Sequence, residues 1–254
     1  VVPMGKDDLQ GIFKANVAMA GRMSDVEAQR YEKFKAEGSL QLKGMNYKSD
    51  SLPYGIGISD LLFNFSPQYL QLANYDGTVG GSDLHANGRV DNYLAWWLKD
   101  STLTGTFNVS SNTFDLNELM GPATAADTTA AAADTAQLSV IEVPKNIDFR
   151  MTAAVKEVIY DKMKLTNCKG GLHVHDQRVE MKELFFNLFN GSATMNGAYD
   201  THDPAKPTID LDYDVRDFDI EQTVKHMETV QKMAPIAMNC RGAFSTDLKM
   251  RADL

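Results

Sequence analysis

The sequence predicts a mainly β protein with a few helices, built from duplicated antiparallel β-sheet units with helices at the unit boundaries. The first observation is an internal repeat: residues 70–91 recur as residues 179–200 without a gap, which places Asn87 on Asn196 and Gly88 on Gly197. The second is the alternation of apolar and polar side chains in both copies, a period of two that is typical of half-buried strands. The third is that the two longest helix-like patterns fall at the ends of alternating stretches.

The repeat also sets the predicted domain organisation. Ser24 and Glu27 have the spacing of a helix capping box, and a run of Ala, Thr and Asp separates the two copies of the repeat. Residues 242–250 match residues 11–19 in their apolar pattern, which indicates that another unit begins there. The predicted organisation is a first β unit over 1–121 with a helix near 24–35, a linker or flexible loop over 122–137, a second β unit over 138–233 ending in a helix over 219–233, and the start of a further unit over 234–254.

Within the units, the alternation predicts strands that are separated by turns. Asp76-Gly77 has the composition of a hairpin turn, and Gly80-Gly81 offers a second turn position. Residues 92–99, with their two tryptophans, predict a short amphipathic turn, and residues 114–120 predict a brief helical crossing. The predicted strands cover 11–23, 39–47, 56–66, 70–75, 82–91 and 103–111 in the first unit, and 147–151, 155–160, 163–168, 172–175, 179–200 (as a strand pair) and 209–215 in the second.

Composition excludes several classes of partner. The formal net charge is −9, from 25 Lys and Arg against 34 Asp and Glu. This balance disfavours a sequence-independent grip on nucleic acid and direct binding to anionic membrane surfaces. No stretch approaches the ~18–20 apolar residues of a membrane-spanning helix. Because the chain starts without Met and stops inside an alternating stretch, we expect it to be a piece of a longer protein.

Two groups of side chains are candidates for chemistry. His173 and His175 flank one residue, so on a strand both imidazoles point to the same side, an arrangement that metal sites use. A metal needs at least a third ligand, and the sequence places none beside this pair, so we interpret the pair as part of a solvated polar face and assign no metal. Asp210, Asp212 and Asp214 have the spacing of outward strand residues, and we interpret them in the same way.

Other reactive features are few. The sequence contains no nucleophile elbow, no phosphate-binding glycine loop and no calcium-loop pattern. Cys168 and Cys240 both lie in strand-like surroundings, and two separate thiols are the simpler interpretation, with a disulfide left open. We therefore predict that the protein is not an enzyme and needs no cofactor.

Several segments resemble the C-terminal region of AsmA-like proteins, the TamB/AsmA type of periplasm-facing envelope protein of Gram-negative bacteria. The resemblance rests on GSDLHANGRVDNYLAWWLKD (81–100), TLTGTFNVSSNTFDLNELM (102–120), the Ala/Thr-rich linker, and the echoes NGSATMNGAYD (190–200) and DYDVRDFDIEQTV (212–224). It implies a curved antiparallel sheet whose apolar concave face shields acyl chains. It also implies a place in the periplasm, an inner-membrane anchor N-terminal to this chain, and a role in outer-membrane assembly or lipid transport.

The alternation leaves two architectures open, because an apolar sheet face must either pack against another layer or stay open for a ligand. An open β-groove would bind phospholipid or another acyl-chain lipid, whereas a closed sandwich or barrel-like core would suit a structural or scaffolding domain that binds envelope proteins. The residues predicted to line the apolar side are Phe63, Phe65, Leu84, Ala86, Val90, Phe107 and Val109 in the first unit, and Leu172, Val174, Met195, Tyr199, Leu211 and Tyr213 in the second.

Overall fold

A computed structural model describes residues 10–22, 24–25, 30, 33, 35–49, 52–120, 142–233 and 235–253. The predicted linker over 122–137 lies outside the described residues, as does most of the predicted helix near 24–35, and a strand has already begun at Lys35. None of the described helices combines the length and the apolar character needed to cross a membrane.

Twelve strands and a few short helices make up the described chain, and the predicted fold class is confirmed. The strands are β1 Gln10–Ala20, β2 Lys35–Ser49, β3 Leu52–Phe65, β4 Tyr69–Val79, β5 Ser82–Asp91, β6 Leu103–Asp115, β7 Ile147–Tyr160, β8 Met163–His175, β9 Arg178–Leu188, β10 Gly191–Asp200, β11 Thr208–Asp219 and β12 Ala243–Asp253. The helices are α1 Tyr93–Lys99, α2 Leu116–Met120, α3 Ile220–His226 and α4 Glu228–Met233, followed by a 3-10 turn at Pro235–Asn239.

Hydrogen-bonded neighbours follow sequence order from β1 to β12. Every strand pair whose register is described is antiparallel. Among the described strands, β1 and β12 are the first and the last in this order. An antiparallel meander of this kind needs only short connections, as between β4 and β5 and between β9 and β10, where two residues join the strands.

The internal repeat corresponds to a period of five strands. β4 and β9 begin at Tyr69 and Arg178, and β5 and β10 begin at Ser82 and Gly191, so both pairs differ by 109 residues. β6 and β11 follow them, and each leads directly into a helix, α2 or α3. By this order β12 occupies the position of β2 and β7, the first strand after a boundary. The predicted match of residues 242–250 to residues 11–19 does not follow this period, because β1 holds the position of β6 and β11.

The described residues belong to two compact units. Unit 1 comprises the described parts of Val1–Asn112 together with Asn146–Thr152, and unit 2 comprises those of Thr113–Lys145 and Ala153–Leu254.

In unit 1 the strand registers place apolar side chains on one side of the sheet. Phe63 pairs with Leu72, Leu72 with Gly88, and Gly88 with Phe107. Residues directly opposite each other on antiparallel strands share a face, so this row of side chains lies on one side. β5 advances in regular steps of two, which carries the same side from Leu84 to Val90. We refer to this side as the apolar face of unit 1.

Unit 2 repeats the arrangement. Leu172 pairs with Met181, Met181 with Gly197, and Gly197 with Leu211. A neighbouring row joins Val174, Val179, Tyr199 and Ile209 in the same way. Both rows lie on one side of the sheet, which we refer to as the apolar face of unit 2.

The predicted turn at Asp76-Gly77 is wrong, since both residues lie within β4 and the turn falls at Gly80-Gly81. Gly77 pairs with Leu84 and is buried. A Cβ at this position would collide with the carbonyl oxygen of Gly57 and would lie 2.9 Å from the hydroxyl of Tyr75. The glycine is therefore needed for the close approach of neighbouring strands, and not for a turn.

The predicted single helix over 219–233 is also wrong, because it divides into α3 and α4 at Met227, whose backbone is extended. Asp219 caps α3 by accepting a hydrogen bond from the Gln222 N–H at 2.8 Å. In a continuous helix, the N–H of residue 228 would donate to the Val224 carbonyl. The side-chain amide of Gln231 donates to that carbonyl instead, at 2.5 Å, which satisfies the acceptor that the break leaves open.

Candidate functional site

The thirteen residues predicted to line the apolar side lie on the apolar faces of their own units. In unit 1, Ala86 pairs with Tyr75 and Val109, and Val90 pairs with Leu70, which itself pairs with Phe65. In unit 2, Met195 pairs with Tyr213. With the rows described above, these pairs account for all seven residues of the first unit and all six of the second.

Partial exposure is common to twelve of these thirteen side chains. Leu211 is buried, and the other twelve are half-buried. A residue in a closed core is covered from all sides, whereas these side chains contact their sheet neighbours and keep a surface accessible. Toward the ends of the strand order the exposure rises, to 63% for Phe13 and 68% for Met19 on β1 and to 55% for Leu248 on β12. Each apolar face is therefore accessible to a ligand.

Aromatic rings give the face of unit 1 much of its surface. The rings of Phe63 and Phe65 stack with centroids 6.5 Å apart, and those of Phe107 and Phe149 meet edge to face at 5.9 Å. Burial raises the pKa of Tyr75, whose hydroxyl donates to the Gly57 carbonyl at 3.5 Å. The phenol is thus neutral at physiological pH, and it adds area to the face without adding charge.

Sequence reasoning missed several residues of these faces. They lie on β4 and β9, where a bulge shifts the alternation of side chains by one residue. The register partners reveal them directly. The additional residues are Leu70, Leu72 and Tyr75 in unit 1, and Val179, Met181, Leu184 and Phe186 in unit 2.

The opposite side of unit 2 is polar. Asp210, Asp212 and Asp214 share this side, as predicted, and two of them face cations on β12: Arg251 lies 3.5 Å from Asp210 and Lys249 lies 3.6 Å from Asp212. All three carboxylates are about half exposed. Exposed ion pairs of this kind contribute roughly 0–1 kcal/mol each to the free energy of unfolding, so they add little to stability.

A shallow groove of about 570 Å³ crosses this polar side. It forms because the small side chain of Ala198 lies in register between Glu180 and Asp210, with longer side chains on both flanks. Opposite charges line it in nearly equal number, which gives it no strong preference for either anions or cations. The charged residues lining it are Arg178, Glu180, Lys182, Asp210, Asp212, Lys249 and Arg251.

His173 and His175 lie beside this groove on β8, and their rings stack with centroids 4.0 Å apart, so the prediction that they share a side is confirmed. The register brings Glu180 of β9 directly opposite His173. Its carboxylate oxygens lie 3.9 Å from His173 Nδ1 and 3.7 Å from His175 Nε2. A hydrogen bond from the Lys182 ammonium, at 2.9 Å, lowers the pKa of the Glu180 carboxyl.

The segment with two tryptophans is the helix α1. The Tyr93 hydroxyl donates to the Ser66 carbonyl at 3.0 Å, which holds this helix to the loop between β3 and β4. Trp96 and Trp97 are both exposed. In unit 2 the corresponding connection is a loop whose ends, Thr201 and Pro207, are fully buried.

No protein-family model matches the chain, and comparison with curated proteins and with solved structures gives no significant match.

Proposed function

We propose that this chain is part of an AsmA-like envelope protein and that its apolar faces shield the acyl chains of phospholipid or a similar lipid in the periplasm. The observation that carries the proposal is the half-burial of twelve of the thirteen predicted lining residues. Their apolar surface is continuous from strand to strand within each unit, and contiguous accessible apolar surface of this kind marks a binding site.

The chemistry of the faces suits an alkyl chain. The lining residues are aliphatic and aromatic, and burial raises the pKa of the Tyr75 phenol that joins them, so this group stays neutral. Each methylene that leaves water contributes about 0.8 kcal/mol, so ten methylenes contribute about 8 kcal/mol before the cost of association, which is roughly 4–15 kcal/mol. A lipid with two chains exceeds the lower end of this cost without any specific contact to its headgroup.

Placement in the periplasm, the inner-membrane anchor and the role in outer-membrane assembly follow from the resemblance of sequence segments to AsmA-like proteins. The acyl-chain proposal rests separately on the faces themselves. The acyl-chain proposal can therefore be correct even if the placement in the envelope is wrong, and the reverse also holds.

A photo-crosslinking amino acid tests the acyl-chain proposal. Positions 84 and 86 in unit 1 and 195 and 213 in unit 2 lie on the apolar faces, and matched controls at Asn87 and Asp212 lie one residue away on the opposite side. In cells, we expect crosslinks to lipid from the four test positions and none from the controls. Equal lipid labelling from both sides would contradict the proposal, and crosslinks to proteins alone from the test positions would support a scaffolding domain instead.

A further inference from the structure

We propose that His173, His175 and Glu180 form a binding site for one divalent transition-metal ion of the zinc class, on the polar side of unit 2. The site is independent of the apolar faces and of the proposed function. It was not assigned from the sequence because the third ligand comes from the neighbouring strand.

The backbone places the three side chains together. His173 and His175 are two residues apart on β8 and project to the same side, and Glu180 is the register partner of His173 on β9. One ligand atom from each residue lies within 4.8 Å of the other two. The side chains are 16%, 31% and 26% exposed, so the ligands are partly shielded while an ion retains a path from solvent.

Small side-chain movements are enough to complete the site. Around zinc, ligand bonds of about 2.0–2.2 Å at tetrahedral angles place ligand atoms about 3.3–3.6 Å apart. The carboxylate oxygens already lie 3.9 and 3.7 Å from the two imidazole nitrogens. Rotation of the side chains closes the difference, and the strands can stay in place.

The ligand types select the metal. Two imidazoles and one carboxylate suit zinc, cobalt, nickel and copper, whereas magnesium and calcium prefer oxygen ligands alone. Three protein ligands also leave at least one position for water or an exogenous ligand.

Two cations compete for the Glu180 carboxylate: Arg178 Nε lies 3.4 Å from Oε1, and the Lys182 ammonium lies 2.9 Å from Oε2. The Lys182 side chain is 60% exposed. An exposed ion pair of this kind is worth roughly 0–1 kcal/mol, so a metal displaces the lysine at little cost. Removal of this lysine is therefore expected to strengthen metal binding.

Unit 1 provides a natural comparison. The repeat places Asn64, Ser66 and Gln71 at the positions of His173, His175 and Glu180, each 109 residues earlier. Asn64 Nδ2 donates to Gln71 Oε1 at 3.4 Å, so the same strand positions hold an amide pair there. The metal-binding residues are thus a feature of unit 2, and unit 1 shows which side chains the sheet accepts in their place.

The test is a titration of the full, tag-free chain, freed of metal by chelation, with Zn²⁺ in a calorimeter and with Co²⁺ by visible absorption. The triple variant H173N/H175S/E180Q carries the residues of unit 1 and serves as the matched ligand deletion. H85N and H202N remove histidines elsewhere, and K182M removes the competing ammonium. Circular dichroism without metal checks that each variant keeps its fold.

We expect one Zn²⁺ per wild-type chain, a Co²⁺ spectrum of low coordination number, and a higher midpoint of thermal unfolding with zinc. H175A is expected to weaken binding by about tenfold or more, since even loss of an outer-shell partner costs ~10–100-fold. K182M should bind more tightly, while H85N and H202N should match the wild type. Absence of saturable binding by the wild type, or equal binding by the folded triple variant, would overturn the proposal.

Discussion

The side-chain amide oxygen of Asn196 accepts a hydrogen bond from the backbone N–H of Glu183 at 2.8 Å. Glu183 has φ of +49° and forms part of a bulge in β9, where the ladder passes from Leu184 directly to Met181. The bulge inserts an extra residue, and Asn196 satisfies a donor that the ladder has left unpaired. Because the bulge shifts the alternation of β9 by one residue, Leu184 and Met181 both reach the apolar face.

Unit 1 carries the same bulge without the same hydrogen bond. There the ladder passes from Leu72 to Tyr75 opposite Asn87, the repeat equivalent of Asn196. The Asn87 side-chain oxygen accepts from Asn108 Nδ2 at 3.0 Å instead. The two asparagines therefore hold equivalent positions and have different partners.

Replacement of Asn196 by Ala should lower the free energy of unfolding by about 0.5–1.5 kcal/mol, because the Glu183 N–H loses its acceptor. Asn87→Ala should cost less, because it breaks only a link between two exposed side chains. Urea denaturation monitored by circular dichroism measures both. Asn196→Asp keeps an acceptor oxygen and should stay closer to the wild type, and equal losses for all three variants would argue against this role of Asn196.

Gly88→Ala and Gly197→Ala should each destabilise the protein by about 1–3 kcal/mol, because a large side chain of the next strand lies over each glycine. A Cβ at Gly197 would lie 2.5 Å from Leu211 Cδ2, and one at Gly88 would collide with the ring of Phe107. A double-mutant cycle tests the cause: in a Phe107→Ala background, the cost of Gly88→Ala should fall. If the cost of Gly88→Ala is the same in both backgrounds, the added methyl group clashes with the backbone and not with the Phe107 ring.

Ala86→Glu should weaken binding of an acyl-chain probe by about tenfold or more, because an unpaired carboxylate beside an alkyl chain costs well over ~1.4 kcal/mol. Displacement of a fluorescent fatty acid from the purified protein provides the measurement. Asn87→Glu introduces the same charge one residue away on the opposite side and should bind as the wild type does. If both variants lose binding to the same extent, the probe is not bound at the apolar face.

His85 should titrate above its ordinary value. Its Nδ1 lies 2.5 Å from Asp76 Oδ1, and this hydrogen bond raises the pKa of His85, with a further contribution from the charge of Asp83. Because the pKa of His85 is raised in the folded state, its contribution to stability is complete below the unfolded-state pKa of about 6.5. That contribution is lost as the pH rises through the folded-state pKa. Asp76→Asn should lower the His85 pKa in an NMR titration. An unchanged pKa would show that the hydrogen bond to Asp76 does not raise it.

The two cysteines should differ in reactivity. Both are free thiols; Cys240 is exposed, and burial raises the pKa of the half-buried Cys168. Because the thiolate is the nucleophile, an alkylating reagent at pH 8 should modify Cys240 first and Cys168 slowly. Mass spectrometry of the Cys240→Ser variant isolates the slow site. Fast modification of that variant would show that Cys168 is accessible.

The predicted faces followed from sequence because strands alternate with a strict period of two. Leu84, Ala86 and Val90 share a side in β5 for the same reason that Met195 and Tyr199 share one in β10, and the repeat confirmed the phase. The period fails wherever a bulge adds a residue, so Tyr75 and Leu184 were not assigned. Gly77 was misread as a turn because composition does not distinguish a glycine needed for φ > 0 from one needed for close strand approach.

Local periodicity was enough to predict the β class, the duplication and the apolar side of each regular strand. Which residues meet across strands became known from the folded structure. Glu180 lies opposite His173, Asn196 meets the bulge at Glu183, and Gln231 completes the break between α3 and α4. These relationships depend on register, and register is set by the pairing of whole strands, which no local pattern encodes.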